Sequence, residues 1–216
     1  DGDTIRLESG VQIRLTGIQA PKLPLGRRGF RAWPLSRESK IALETLTLNK
    51  RLSLRYDDRR IDRHGRLLAH LFDEQNRWIQ GEIISLGLAR VYSFRDNRAL
   101  VGAMLAIEGE ARAQRRGIWN DDFYQVRPAE PPDQPIDRFE LVGGLVVAAA
   151  IVRGRAYLNF GPDWKADFTV SIESRHRRLF EADGIDIEAL EGRLIRVRGW
   201  VESWNGPMIK VTHPEQ

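Results

Sequence analysis

The sequence predicts a mainly β chain with some α-helix, an α+β fold arranged as two small domains. The chain has 216 residues, which suits one large domain or two small ones. Short runs of alternating apolar and polar residues, typical of half-buried strands, occur on both sides of residues 127–137. That stretch holds four prolines and no periodic pattern, which is typical of a stiff linker. We therefore predict a first domain at 1–126, a linker at 127–137 and a second domain at 138–216.

The first domain is predicted to combine a hairpin and further strands with three helices. Apolar residues alternate along the hairpin, and a Ser9-Gly10 turn divides it. Residues 21–34 are rich in Pro, Gly and Arg and are predicted to form a loop. The predicted elements are the hairpin at 4–18, strands at 52–56 and 66–72, and helices at 36–49, 78–86 and 97–116.

The second domain is predicted to be a five-stranded barrel. Strand-like runs occur at 139–151, 155–160, 167–173, 193–202 and 207–212, with a short helix at 179–190. Five short strands with a helix between the third and the fourth is the order of an OB-fold.

Composition and charge narrow the possible functions. Cysteine is absent, which excludes disulfides, thiolate metal sites and a cysteine nucleophile. The longest apolar run, 142–152, is too short to span a membrane as a helix and is predicted to be a buried strand. Residues 1–137 carry 23 basic and 19 acidic side chains, whereas 138–216 carry 11 of each. The excess of basic over acidic residues is concentrated between Lys22 and Lys40, which favours a polyanionic partner.

Five sequence motifs in the first domain point to a known family. They are Asp-Gly-Asp-Thr at 1–4, Ile-Arg-Leu-Thr-Gly-Ile-Gln-Ala-Pro at 13–21, Asp-Arg-His-Gly-Arg-Leu-Leu-Ala at 62–69, Gly-Leu-Ala-Arg-Val-Tyr at 87–92 and Gly-Ile-Trp at 117–119. In order and spacing they resemble the signatures of the thermonuclease (staphylococcal-nuclease-like, SNase) family. The resemblance implies a five-stranded OB-type barrel packed on three helices.

The same resemblance implies a phosphodiester-cleaving site, which this sequence matches only in part. In active members two aspartates hold calcium, a glutamate acts on the attacking water and two arginines clamp the phosphate. Asp3 matches one calcium-ligating aspartate, and Arg14 and Arg66 match the clamp. Gln19 stands in the place of the second aspartate and Lys22 in the place of the glutamate. Calcium affinity falls with the number of charged ligands, so calcium binding is an open alternative here.

Further residues are predicted to bind phosphate or nucleic acid. Lys22, Arg27 and Arg28 lie in the basic loop, where they would face an anion with Asp3 as the single opposing carboxylate. His64 stands where many relatives have a tyrosine beside the phosphate, or is an ordinary loop histidine. In the second domain, Tyr157 and Trp164 lie in a segment that resembles the opening of bacterial nucleic-acid-binding OB domains. They would stack bases or, alternatively, fill the barrel core.

These observations predict a protein that binds single-stranded DNA or RNA, or another phosphate-bearing ligand, with weak or no hydrolysis. Two alternatives stay open: an active phosphodiesterase with altered metal use, and a scaffold that binds a protein partner. Asp1 opens the sequence inside a turn motif, so we expect residues upstream of it. Because relatives with this domain pair commonly look exported, we expect a periplasmic or secreted protein whose leader lies upstream.

Overall fold

The computed structural model describes all 216 residues and divides into two compact units, Asp1–Phe123 and Tyr124–Gln216. The strands of the first unit are β1 (Thr4–Arg6), β2 (Gln12–Leu15), β3 (Ile18–Gln19), β4 (Ser53–Arg55), β5 (Leu67–Phe72) and β6 (Arg90–Val91). Its α-helices are α1 (Ser36–Thr47), α2 (Ile79–Ser85) and α3 (Val101–Ala113). Two short 3₁₀ turns, Gly117–Asn120 and Asp122–Tyr124, follow α3. No helix is both long and apolar enough to cross a bilayer.

The sheet of the first unit is a curled half-barrel that packs on the helices. Its strand order is β1-β2-β5-β4, and β3 pairs separately with β6. Inward-facing residues of β2 and β5, such as Ile13 and Leu71, are fully buried together with Ile83 of α2 and Met104 of α3. This arrangement confirms the predicted barrel-type fold with three helices.

One buried amide ties α2 to the central strand. The backbone N–H of Leu71 donates to Oε1 of Gln80 at 3.0 Å, and Nε2 of Gln80 donates to the carbonyl of Ala69 at 2.9 Å. Because Gln80 is fully buried, no water can replace these bonds. The start of β5, which carries the Arg66 turn, is fixed on the helices through this contact.

The second unit is a closed barrel. Its strands are β7 (Arg127–Pro128), β8 (Phe139–Leu145), β9 (Ala148–Val152), β10 (Arg155–Asn159), β11 (Thr169–Ile172), β12 (Leu194–Trp204) and β13 (Gly206–Val211). Helix α4 (Ser174–Ala182) and a 3₁₀ turn, Glu188–Leu190, lie between β11 and β12.

The strand order of the second unit shows why the barrel closes. The order is β7-β8-β12-β13-β11-β10-β9, in which β11 and β13 run parallel. Strands β8 and β9 are nearly continuous in sequence, so one bent strand pairs with β12 through its first half and with β10 through its second half. Counting that bent strand once gives five main strands with α4 after the third. This order confirms the predicted OB-fold topology.

Two predicted segments differ in the structure. The predicted linker 127–137 packs against the second barrel: β7 pairs in parallel with β8, and Ala129 is buried in the core. The predicted helix at 179–190 instead begins at Ser174 and ends at Ala182. Its sequence is strongly polar, and only His176 and Phe180 are buried, so the apolar period that marks a helix is short.

We expect Gln80→Met to destabilise the first unit, because the Leu71 N–H would lose its partner, while the Ala69 carbonyl would keep only the bond from the Thr16 N–H. Each buried group left unsatisfied costs about 1–3 kcal/mol. Urea unfolding monitored by circular dichroism measures the loss. Gln75→Met is the control, since Gln75 is exposed and its side chain makes no hydrogen bond. Equal stability of the two variants would contradict this role of Gln80.

Candidate functional site

Pairing of the first two strands places Asp3 beside Arg14. Thr4 lies opposite Arg14 in the β1–β2 ladder, and the backbone N–H of Leu15 donates to the carbonyl of Asp3 at 2.9 Å. Asp3 directly precedes β1 and is only 1% exposed. A carboxylate at this depth needs partners for its charge.

Three such partners converge on one oxygen of the Asp3 carboxylate, and the Thr4 hydroxyl donates to the other oxygen at 3.3 Å. Lys22 Nζ donates to Oδ2 at 2.6 Å, the backbone N–H of Ala20 donates to the same oxygen at 2.9 Å, and Arg14 Nη1 lies 3.2 Å from it. Burial by itself would raise the pKa of Asp3, but Arg14 and Lys22 outweigh it and hold that pKa below its ordinary value. Asp3 is therefore a carboxylate already neutralised by two cations.

Arg14 is held mainly by the protein itself. Besides Asp3 Oδ2, its guanidinium donates to the backbone carbonyls of Asp3, Leu15 and Ile18, at 3.0, 3.3 and 2.7 Å. This explains why an arginine emerging from a short strand can be largely buried. The predicted clamp residue is thus in place beside Lys22, and its geometry is fixed before any ligand arrives.

Arg66 belongs to a compact Asp–Arg turn. Asp62 accepts hydrogen bonds from the backbone of His64 and Arg66 and from Arg66 Nε, at 2.8, 3.0 and 2.7 Å. Arg66 Nη2 also lies 2.6 Å from Asp62 Oδ2. These donors outweigh burial and lower the pKa of Asp62. Sequence reasoning missed Asp62, although the spacing Asp-x-x-Gly-Arg was visible.

The same turn occurs at the other end of β5. Asp73 accepts from the backbone N–H of Arg77 at 2.9 Å and from Arg77 Nε at 2.6 Å. The two turns flank a six-residue strand, so they lie about 20 Å apart. The protein thus contains a second copy of the local structure around Arg66, at the opposite end of β5.

Lys22 lies in the electrostatic field of Asp3, Arg14 and Arg66. Burial lowers the pKa of Lys22, Asp3 opposes that shift, and the positive charges of Arg14 and Arg66 add to it. The structure therefore brings Asp3, Arg14, Lys22 and Arg66 into one electrostatic cluster. The prediction that Asp3 alone opposes these cations is wrong, because Asp62 pairs with Arg66 and Asp1 Oδ2 lies 3.6 Å from Lys22 Nζ.

Gln19 faces a different partner. It is buried, and its Oε1 accepts a hydrogen bond from Nε of the equally buried Arg90 at 2.9 Å, across the β3–β6 pair. A neutral amide here has its carbonyl oxygen directed at a guanidinium. Arg90 was not among the predicted site residues.

The family resemblance implies calcium, but the donors present do not fit it. Calcium takes six to eight oxygen ligands, and no cluster of three or more Asp, Glu, His or Cys side chains in the chain could hold a metal ion. The buried carboxylate at this site, Asp3, already contacts the ammonium of Lys22, which an incoming cation would have to displace. A calcium ion would also approach the charges of Arg14 and Arg66.

The remaining predicted residues of the first unit are exposed. Arg27 donates to the carbonyls of Leu23 and Pro24 and stacks on Phe30, with its guanidinium carbon 3.7 Å from the ring centre. Arg28 is exposed and has no partner in the protein. His64 is exposed on the Asp62 turn, where its Nε2 accepts from Arg63 Nε at 3.1 Å.

The aromatic residues of the second unit fall into two groups. Phe160 and Phe168 are buried and in edge-to-face contact, with ring centres 5.1 Å apart, so they fill the core. Tyr157 is half-buried and Trp164 is exposed, and both line a surface pocket. Trp204 lines the same pocket.

Comparison with known proteins agrees with this architecture in the first unit. Residues 12–121 match the family model described as "Staphylococcal nuclease homologue". The chain is 28% identical over 124 residues to "Uncharacterized endonuclease" of Escherichia coli O157:H7 and of Escherichia coli, covering 56% of this chain and 72% of each relative. It is also 30% identical over 132 residues to "Protein ParB" of Escherichia coli, covering 56% of this chain and 68% of the relative.

Replacing Lys22 by Met should destabilise the first unit at neutral pH. Breaking a buried ion pair costs about 3–5 kcal/mol, and we expect less because Arg14 remains beside Asp3. The pKa of Asp3 is lower in the folded than in the unfolded chain, so the pair stabilises above about pH 4 and its contribution is lost as the pH falls.

The measurement is urea unfolding of wild type and variant at pH 7 and pH 3. The difference between them should shrink at the lower pH. Lys40→Met is the control, since Lys40 forms an exposed pair with Glu44 that contributes at most about 0.5 kcal/mol. A Lys22→Met protein as stable as the control at pH 7 would show that the Lys22–Asp3 pair does not stabilise the first unit.

Proposed function

Because this chain belongs to the staphylococcal nuclease homologue family, we propose that its first unit binds the phosphates of single-stranded DNA or RNA and hydrolyses them weakly or not at all. The observation that carries the proposal is the 2.6 Å contact between Lys22 Nζ and Asp3 Oδ2. The ammonium supplies the positive charge beside Asp3 that a metal ion would otherwise supply.

The chemistry left at the site favours binding over cleavage. Without a carboxylate at position 22 there is no general base in the place where the family has one, and general-base catalysis contributes about 10²–10⁴-fold. Gln19 offers a neutral oxygen that Arg90 already occupies. Lys22 stays bound to Asp3 as an ammonium and is a poor proton acceptor.

Two donors remain available to a phosphate. Arg66 uses Nε and Nη2 on Asp62, which leaves Nη1 without a protein partner. Lys22 has three N–H bonds, and a single short contact, to Asp3, uses one of them. Both side chains are partly exposed, whereas Arg14 is the most buried of the three cations. Charge-assisted bonds from Arg66 and Lys22 would hold one phosphate, and exposed Arg28 would meet a neighbouring one.

An active phosphodiesterase is the second candidate. It is favoured by the names of two relatives, each called an endonuclease, and by the presence of Asp3, Arg14 and Arg66 at matching positions. In that case an acidic side chain outside the motifs would replace the base, and a metal ion would displace Lys22 from Asp3.

Arg66→Ala should weaken binding of a single-stranded oligonucleotide about tenfold or more, because a hydrogen bond to a charged group contributes about 1.5–3 kcal/mol. The dependence of log K on log salt should also become shallower by about 0.7. Fluorescence anisotropy titrations at several salt concentrations between about 50 and 200 mM measure both the affinity and its salt dependence.

Arg77→Ala is the matched control for that experiment, because it removes an arginine from the identical Asp–Arg turn at the far end of β5. Its binding should equal that of wild type. Equal weakening by the two variants would show a general charge effect instead of a phosphate site. No binding of wild type even at low salt would favour the protein scaffold.

The double variant Gln19→Asp, Lys22→Glu should gain calcium-dependent cleavage of single-stranded DNA over wild type. It frees Asp3, adds a second carboxylate and restores an acidic side chain at position 22. The assay follows release of a labelled fragment with calcium or with chelator. Calcium-dependent cleavage by wild type that disappears in Arg66→Ala would overturn the binding proposal in favour of the phosphodiesterase.

A further inference from the structure

The second unit carries a pocket on the outer face of its barrel. The cavity has a volume of about 360 Å³ and lies across β9, β10, β11 and β13. On β10, Ala156 and Leu158 are buried in the core, so the alternate residues Tyr157 and Asn159 face outward. The pocket is therefore on the opposite side of the sheet from the hydrophobic core.

Small side chains make this face concave. Tyr157 pairs with Ala150 of β9, and Asn159 pairs with Thr169 of β11. Thr169 in turn pairs with Met208 of β13, which is buried although it faces outward. A row of short residues between larger neighbours leaves a depression along the sheet.

Two tryptophans form walls of the depression. Trp164 and Trp204 are 58% and 63% exposed and line the pocket from two different connections. They contribute little to the core, yet each presents a large aromatic surface to solvent. Exposed aromatic residues grouped around a cavity mark a binding site more often than isolated ones do.

Both connections are held rigidly before any ligand binds. Asp167 accepts from the backbone N–H of Asp163, and Asp163 Oδ1 accepts from the backbone N–H of Lys165 at 3.0 Å, which fixes the loop around Trp164. A Cβ on Gly206 would lie 2.2 Å from the carbonyl oxygen of Ala166, so the hairpin tip beside Trp204 packs directly on that loop. The two tryptophans are therefore positioned by contacting segments.

The lining selects for a planar, uncharged group. No charged side chain lines the cavity, and the polar groups of its lining residues include the amides of Asn159 and Asn205 and the hydroxyl of Thr169. Thr169 Oγ1 donates to Asn159 Oδ1 at 3.2 Å, which leaves the other end of that amide without a partner. Asn205 also has no side-chain partner. These groups can donate to and accept from the polar edge of a ring.

Positive charge is found at the rim instead. Lys165 Nζ lies 5.5 Å from the centre of the Trp164 ring. An uncharged aromatic cavity with a cation at its edge matches a ligand whose ring is neutral and whose backbone is anionic. The lining has no carboxylate that could accept hydrogen bonds from the hydroxyl groups of an oligosaccharide.

We propose that this pocket holds one base of a single-stranded nucleic acid, stacked against Trp164 and Trp204, with Lys165 near the adjoining phosphate. The cavity is at the lower end of the range for small-ligand sites, which suits a single base with its sugar. The inference rests on the proposed function for the identity of the polymer, but it concerns a different unit and different chemistry.

The test compares two probes with equal charge, each bound by the full chain in a fluorescence anisotropy titration. One is a labelled thymidine octamer, and the other is an octamer of the same deoxyribose-phosphate backbone without bases. Trp164→Ala and Trp204→Ala should each weaken binding of the thymidine octamer about 5- to 150-fold, the range for losing one stacked base. Binding of the abasic octamer should stay within about twofold of wild type, since only base stacking is removed.

Two further variants keep the test decisive. Trp200→Ala is the control, because Trp200 is a 46% exposed indole on β12 outside the pocket, and it should bind both probes as wild type does. Trp164→Phe keeps an aromatic face and should restore most of the affinity, which a merely misfolded loop would not allow.

The binding measurements distinguish a failure of the base pocket from a failure of the proposed phosphate site. Trp164→Ala and Trp204→Ala proteins that bind the thymidine octamer like wild type would overturn the pocket, even if Arg66→Ala still weakens both probes. Weaker octamer binding by the tryptophan variants, with no effect of Arg66→Ala, would support the base pocket and contradict the proposed phosphate site. Displacement of the octamer by a neutral oligosaccharide or a proline-rich peptide at equal concentration would also overturn it.

Discussion

The carboxylate of Asp3 is buried beneath the first two strands, where an unpaired charge would cost several kcal/mol. Lys22, Arg14 and the backbone of Ala20 all converge on it, and Arg14 in turn holds the carbonyls that follow β2. Satisfying this one charge therefore ties β1, β2 and the start of the basic loop together. It also decides what the site can bind, because the carboxylate is no longer available to a metal ion.

Under the proposed function, this chain keeps the family fold without the family chemistry. The half-barrel depends on apolar packing between strands and helices, which tolerates changes at the surface of the site. Replacing an acid by Lys22 and another by Gln19 alters charge without altering that core. The result is a site that keeps cationic partners for phosphate and supplies its own cation to Asp3. In the second unit the outer face of a similar barrel carries uncharged aromatic residues instead, so the two units offer different chemistry.

Much of both folds could be predicted, because alternating strands and proline-rich breaks leave clear marks in the sequence. The helix Ser174–Ala182 was displaced in the prediction, since its few buried positions give almost no apolar period. Arg14, Lys22 and Arg66 were found because the motifs that contain them resemble those of the family. Asp62, the acidic partner of Arg66, was missed although it lies only four residues away. Arg90 opposite Gln19 could not be found, because that contact depends on how distant segments fold. The position of Trp204 beside Trp164 could not be predicted either, because it depends on the contact of Gly206 with Ala166.

The central claim is that the ammonium of Lys22 takes the position of a cation beside the Asp3 carboxylate and so excludes calcium from that carboxylate. Isothermal titration calorimetry of calcium into the wild-type protein tests this most directly, with Lys22→Met titrated in parallel. Our account predicts no saturable binding to wild type at millimolar calcium, the range typical of weak protein sites. Stoichiometric calcium binding to wild type that is lost in Asp3→Asn would contradict it.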